Sequence, residues 1–89
     1  MSGTITRAPE AITKRKPISL ESGRSSIALE REYWTALEAL AYDDGWHNWR
    51  DFFYVNVLPD KPDDMPLASH VRRTVTACLF SEYDRSRSA

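Results

Sequence analysis

The chain lacks most of what would mark a specialised chemistry. Its single cysteine, Cys78, cannot form an intrachain disulfide, so a disulfide-stapled fold is excluded. Three glycines make no glycine-rich phosphate loop, and the two histidines, His47 and His70, form no His-Glu helix pair. His70 and Cys78 have neither a second cysteine nor a paired histidine beside them, which is a poor metal set. Histidine and serine can always be combined on paper into a nucleophile and a base, but nothing here fixes such a pair, so no catalytic residue, cofactor or metal is expected. No apolar run approaches the roughly 20 residues that span a bilayer, and a membrane is not expected as a partner. Met1 to Ile12 has no apolar centre of the secretory kind, which makes a reducing cytoplasm the expected compartment.

Charge of one sign is also missing: the net is −1, low for a protein that grips phosphates, because lysine and arginine supply most non-specific affinity for nucleic acid. The distribution is polarised, however. Residues 1–29 hold five basic and two acidic side chains, residues 30–66 three and nine, and residues 67–89 four and two. A basic amino-terminal end fits a nucleic-acid partner, whereas the acidic middle fits a protein partner.

What is present in quantity is aromatic: three Trp, four Tyr and three Phe. A chain of this length buries only about 60% of the surface its unfolded form exposes, so association of two copies is an economical way to cover those rings. The most informative stretch is RSSIALEREYWTALEALAYDDG, residues 24–45. In Ser25, Ile27 and Leu29 every second side chain is small or apolar, so Arg24, Ser26 and Ala28 face the other way. So short a strand needs a partner, and the expected one is the same strand of a second copy, giving a β-ribbon of the kind that enters the DNA major groove.

Residues 1–16 are polar and aperiodic and read as a disordered basic arm. Pro17 opens a brief alternation, Ile18 and Leu20 against Ser19 and Glu21, and Ser22-Gly23 is a turn signal, so a small hairpin leads into the main strand. From Glu30 the period changes: Trp34, Leu37, Leu40 and Ala41 share a helix face that closes on Gly45. In residues 46–57 the spacing of Trp46, Trp49, Phe52 and Phe53 predicts a second helix, although FFYVNV favours strand by propensity. Pro59, Pro62 and Pro66 make a loop. Leu67, Val71, Val75, Cys78 and Leu79 then predict a third, amphipathic helix to about residue 83, with 85–89 a frayed tail.

Taken together, the strand ending Ile-Ala-Leu-Glu, the Tyr33-Trp34 pair, Gly45, the immediate second helix and LASHVRRTVTACLFSEY resemble the ribbon-helix-helix superfamily. The resemblance covers roughly residues 15–84 and is closest to a bacterial group with a hairpin before the ribbon and an added third helix beginning Leu-Ala-Ser. It implies a mainly α fold with a short β-ribbon: a homodimer with intermolecular antiparallel strands, an Arc/methionine-repressor-like core over residues 17–84 and an additional C-terminal helix. Ile27, Leu29, Trp34, Leu37, Trp49, Phe52 and Phe53 would form the dimer core.

The resemblance also implies roles. Arg24, Ser26 and Ala28 would face base edges, with Arg24 able to give two hydrogen bonds to guanine and Ala28 only a methyl contact to thymine. His47 and Asn48, at the start of the second helix, correspond to a phosphate clamp. Lys14, Arg15 and Lys16 would add contacts to the DNA backbone. The function expected is that of a cytoplasmic transcriptional regulator, a repressor, that binds double-stranded DNA as a dimer. The alternative is a dimeric protein-interaction scaffold that uses the acidic middle and the aromatic second helix. An antitoxin, binding DNA through the ribbon and a toxin through the added segment, is a third reading.

Overall fold

The structure is a computed structural model in which residues 10–88 are described, the side chain of Ser88 excepted. Two strands, β1 (Thr13–Leu20) and β2 (Gly23–Glu30), pair antiparallel in unbroken register from Thr13 opposite Glu30 to Leu20 opposite Gly23. Then come α1 (Arg31–Asp43), α2 (Trp49–Phe52) and α3 (Leu67–Ser88). Between α2 and α3 the helix widens into a π-helical stretch, Phe53–Val57, and tightens into a 3-10 turn, Leu58–Asp60. A hairpin followed by helices is compatible with a ribbon-helix-helix layout.

Within the chain the partner of β2 is β1, so the expected hairpin is present and covers one edge of β2. The hairpin is also longer than expected, since Thr13–Lys16, read as part of a disordered arm, belong to β1; residues 1–9 of that arm lie outside the described residues. The reason is that a lysine can serve as an amphipathic core-facing residue, with its stem on apolar surface and its charge outward. Lys16 does so, with Nζ 5.0 Å from the centre of the Trp34 ring.

Neither Glu21 nor Ser22 has a positive φ, so the two-residue turn is not of the mirror-image hairpin types, and Gly23, at φ 127°, realigns the strand. At the end of α1, Gly45 takes φ 86° while its N–H reaches the Tyr42 carbonyl and that of Trp46 reaches Ala41. These two bonds satisfy carbonyls that a helix end leaves open. The second helix starts at Trp49 rather than at residue 46, because Asn48 caps it. The strand-favouring run that follows stays helical because Phe53 and Val57 reach the core at that spacing. The tail expected to fray is helical to Ser88, where Arg85 pairs with Glu82 at 3.8 Å and Arg87 lies 5.7 Å from the Tyr83 ring. Basic side chains in a last turn also suit the negative end of the helix dipole.

One core joins the inner face of the hairpin to all three helices: Ile18, Ile27, Leu29, Trp34, Leu37, Ala41, Trp49, Phe52, Phe53, Val57, Val71 and Val75. Trp34 and Trp49 meet edge to face with ring centres 4.9 Å apart. The seven residues expected to form a dimer core, Ile27, Leu29, Trp34, Leu37, Trp49, Phe52 and Phe53, are all buried here. Their cover comes from their own chain, so a second copy is not needed to shield them.

Candidate nucleic-acid interface

Side chains alternate along a strand, so the register divides the hairpin into two faces. The inner face carries Lys16, Ile18 and Leu20 beside Ile27 and Leu29. The outer face carries Thr13, Arg15, Pro17 and Ser19 beside Glu30, Ala28, Ser26 and Arg24. None of these eight outer residues is buried, and Arg15 and Arg24 are exposed. Arg15 Nη1 donates to Ser26 Oγ at 2.9 Å, which holds the guanidinium over the ribbon and leaves the serine hydroxyl free to donate.

Arg24, Ser26 and Ala28 thus share the face on which the alternation put them, and Arg15 joins them there. Lys14 and Lys16 do not. Lys16 stands over Trp34 and Trp49, with Nζ 3.6 Å from Glu38 Oε2, and the Lys14 carbonyl accepts from Trp34 Nε1 at 2.9 Å. Extending the Ile18–Leu20 alternation back two pairs of residues would have separated Arg15 from its two lysine neighbours.

The two edges of the hairpin differ. The Arg31 N–H donates to the Ile12 carbonyl at 2.8 Å, which continues the ladder and makes the inner-face residues its hydrogen-bonded pairs. The backbone groups of the outer-face residues therefore point sideways, away from the partner strand. Along the Pro17–Ser19 half of β1 the neighbouring helical segment takes up two of them: the Ser19 N–H donates to Tyr54 Oη at 2.8 Å, Arg50 Nη2 donates to the Pro17 carbonyl at 3.2 Å, and Pro17 has no N–H to satisfy. Along β2, no other group among the described residues bonds to the backbone of Arg24, Ser26 or Ala28. Arg50 and Tyr54 carried no sequence signal for this task, because it depends on how α2 lies against β1.

The start of α2 is not arranged as a phosphate clamp. Asn48 Oδ1 accepts the Asp51 N–H at 2.9 Å, and Asn48 Nδ2 donates to Asp51 Oδ2 at 3.1 Å. One of the open N–H groups is thereby occupied, and a carboxylate stands where an anion would approach. His47 is exposed beside this cap, in a shallow cleft with Tyr42 and Trp46.

At the far end of β2, Arg72 Nε and Nη2 donate to the two oxygens of Glu30 at 2.9 and 3.2 Å. These bonds, with one from Glu30's own backbone N–H, hold the carboxyl below the usual range. The same bonds raise the Arg72 guanidinium above its ordinary value. The acidic residue on the outer face is thus neutralised internally, and Arg15 and Arg24 dominate that face.

Among the described residues no helix is long and apolar enough to cross a membrane. No family model, curated protein or solved structure matches the chain.

Proposed function

We propose that the chain is a ribbon-helix-helix-like, homodimeric DNA-binding protein that acts as a transcriptional regulator through the outer face of its hairpin. The observation that carries this reading is an unburied strand face bearing Arg15, Ser19, Arg24 and Ser26 beside an open β2 edge. Antiparallel pairing of two such edges about a two-fold axis brings the Arg24, Ser26 and Ala28 rows of both copies side by side. The two β2 strands then lie about 5 Å apart, and the two β1 strands about 14 Å apart, against a major groove about 12 Å wide. The inner pair fills the groove, and Arg15 on each outer strand sits at a phosphate ridge.

The test is solution mass together with a salt titration of binding to duplex DNA of mixed sequence. The expected results are a dimer and an affinity whose logarithm falls linearly with the logarithm of salt concentration. A monomer at working concentration, or binding indifferent to salt, sinks the reading.

A second reading, a protein-interaction scaffold, draws on a different surface from the one the sequence pointed to. Trp49 is buried and Trp46 meets Phe52 edge to face, so the aromatic second helix has little to offer a partner. Leu79, Phe80 and Tyr83 on α3 are 45%, 65% and 58% exposed and supply apolar contact area instead.

A further inference from the structure

The core stripe of α3 does not end where the core ends. Val71 and Val75 are covered, but one turn later the stripe comes into the open, with Cys78 half-buried and Leu79 exposed. Beside this stretch lies an open groove of about 410 Å³. Leu40, Phe52 and Cys78 give its lining an apolar part, and Asp43, Asp44 and Glu82, with Arg85, give it a charged part. Arg85 partly neutralises Glu82. Asp43 and Asp44 make no ion pair among the described residues, and Asp44 accepts from the neutral Trp46 Nε1 at 2.9 Å.

Those two carboxylates sit at the carboxyl end of α1, whose last turn carries no basic residue. A helix dipole is negative at that end and favours cations there, so the chain has placed the wrong sign of charge beside an apolar trough. A cation from outside would relieve both. The groove is walled by helices and offers no strand edge, so its occupant must satisfy its own backbone hydrogen bonds, as a helix does.

We propose that this groove docks a basic amphipathic helix from another protein, its apolar stripe on Leu40, Phe52 and Cys78 and its lysine or arginine side chains against Asp43 and Asp44. The site is separate from the hairpin face, and the inference does not depend on DNA binding.

Cys78 is the only cysteine, so the rate at which its thiol reacts with a disulfide reagent reports on the groove directly. The probes are a short helical peptide of leucine and lysine and its leucine–glutamate counterpart, each added to the full chain. The lysine peptide is expected to slow the Cys78 reaction, and the glutamate peptide to leave it unchanged. The double variant Asp43→Lys/Asp44→Lys should weaken the lysine peptide about tenfold or more. The control Asp63→Lys/Asp64→Lys, which makes the same charge change in the exposed loop, should leave it unaffected. Circular dichroism checks that both variants fold. Equal weakening by the two double variants would mean attraction to net charge alone and overturn the proposal. So would a Cys78 rate unchanged at saturating peptide. Protection of Cys78 that rises with protein concentration in the absence of peptide would assign the groove to a second copy, and that too overturns it.

Discussion

Arg72 on α3 holds Glu30 at the end of β2 by two parallel hydrogen bonds, tying the last helix to the residue at which strand becomes helix. A fork of this kind has fixed geometry as well as attraction. Because the pair lowers the pKa of Glu30, its contribution to stability is present above the ordinary carboxylate range and is lost as pH falls through the lowered value. The urea midpoint of the chain should therefore fall between neutral and strongly acidic pH by more than that of Glu30→Gln. Equal pH dependence in the two proteins would show that the pair contributes nothing.

Arg15 and Lys16 are neighbours with opposite duties. Arg15→Ala and Arg24→Ala should each weaken DNA binding by roughly 1–3 kcal/mol with little effect on the melting temperature. Lys16→Ala should instead lower the melting temperature, since its charge and stem lie over Trp34 and Trp49. Parallel anisotropy titrations and thermal melts separate the two, and a larger loss of affinity from Lys16→Ala than from Arg15→Ala would contradict this division.

The Ala28 N–H points out of the open edge, so proline at that position spares the ladder to β1. Ala28→Pro is expected to abolish the proposed dimer and leave the helical circular dichroism intact. Sedimentation velocity decides it, and a dimer that survives the substitution must use another surface.

Gly45 stands in the left-handed region with no atom within 4 Å of where a Cβ would be. Gly45→Ala therefore meets a conformational cost and no clash, and should destabilise the chain by about 1–2 kcal/mol. Asparagine, which tolerates that conformation better, should cost less. Urea unfolding of the two variants gives the ranking.

His70 is buried, and its Nε2 lies 2.7 Å from the Val57 carbonyl. A carbonyl only accepts, so Nε2 carries the hydrogen. His70→Ala should cost about 1–3 kcal/mol from the unsatisfied carbonyl alone, with the lost packing in addition. His70→Gln, which restores a donor, should recover part of it in the same unfolding measurement.

Periodicity disclosed those elements whose pattern is written in apolar side chains. The Trp34, Leu37 and Ala41 face of α1, the Val71 and Val75 stripe of α3 and the inward Ile27 and Leu29 all lie where their spacing put them. The stop at Gly45 was legible for the same local reason. The first half of β1 was hidden, because Lys16 looks like solvent-exposed charge until Trp34 and Trp49 are folded beneath it. The cap at Asn48 was equally hidden, since an Asn side chain facing the start of a helix can greet an anion or close on its own backbone. For the proposed interface, the row Arg24, Ser26, Ala28 was readable from alternation. Arg15 was legible only together with Lys14 and Lys16 as a contact to the DNA backbone; its place on the outer face and the difference between the two edges were not readable, because the first depends on pairing across the hairpin and the second on α2.

A sheet with one partly shielded edge limits growth. Among the described residues, Arg50 and Tyr54 sit over the Pro17–Ser19 half of β1, while the Arg24–Ala28 side of β2 is bare. In the proposed pair, joining two molecules through β2 uses that edge in both, which leaves a third molecule only the Thr13–Arg15 end of β1 as a template.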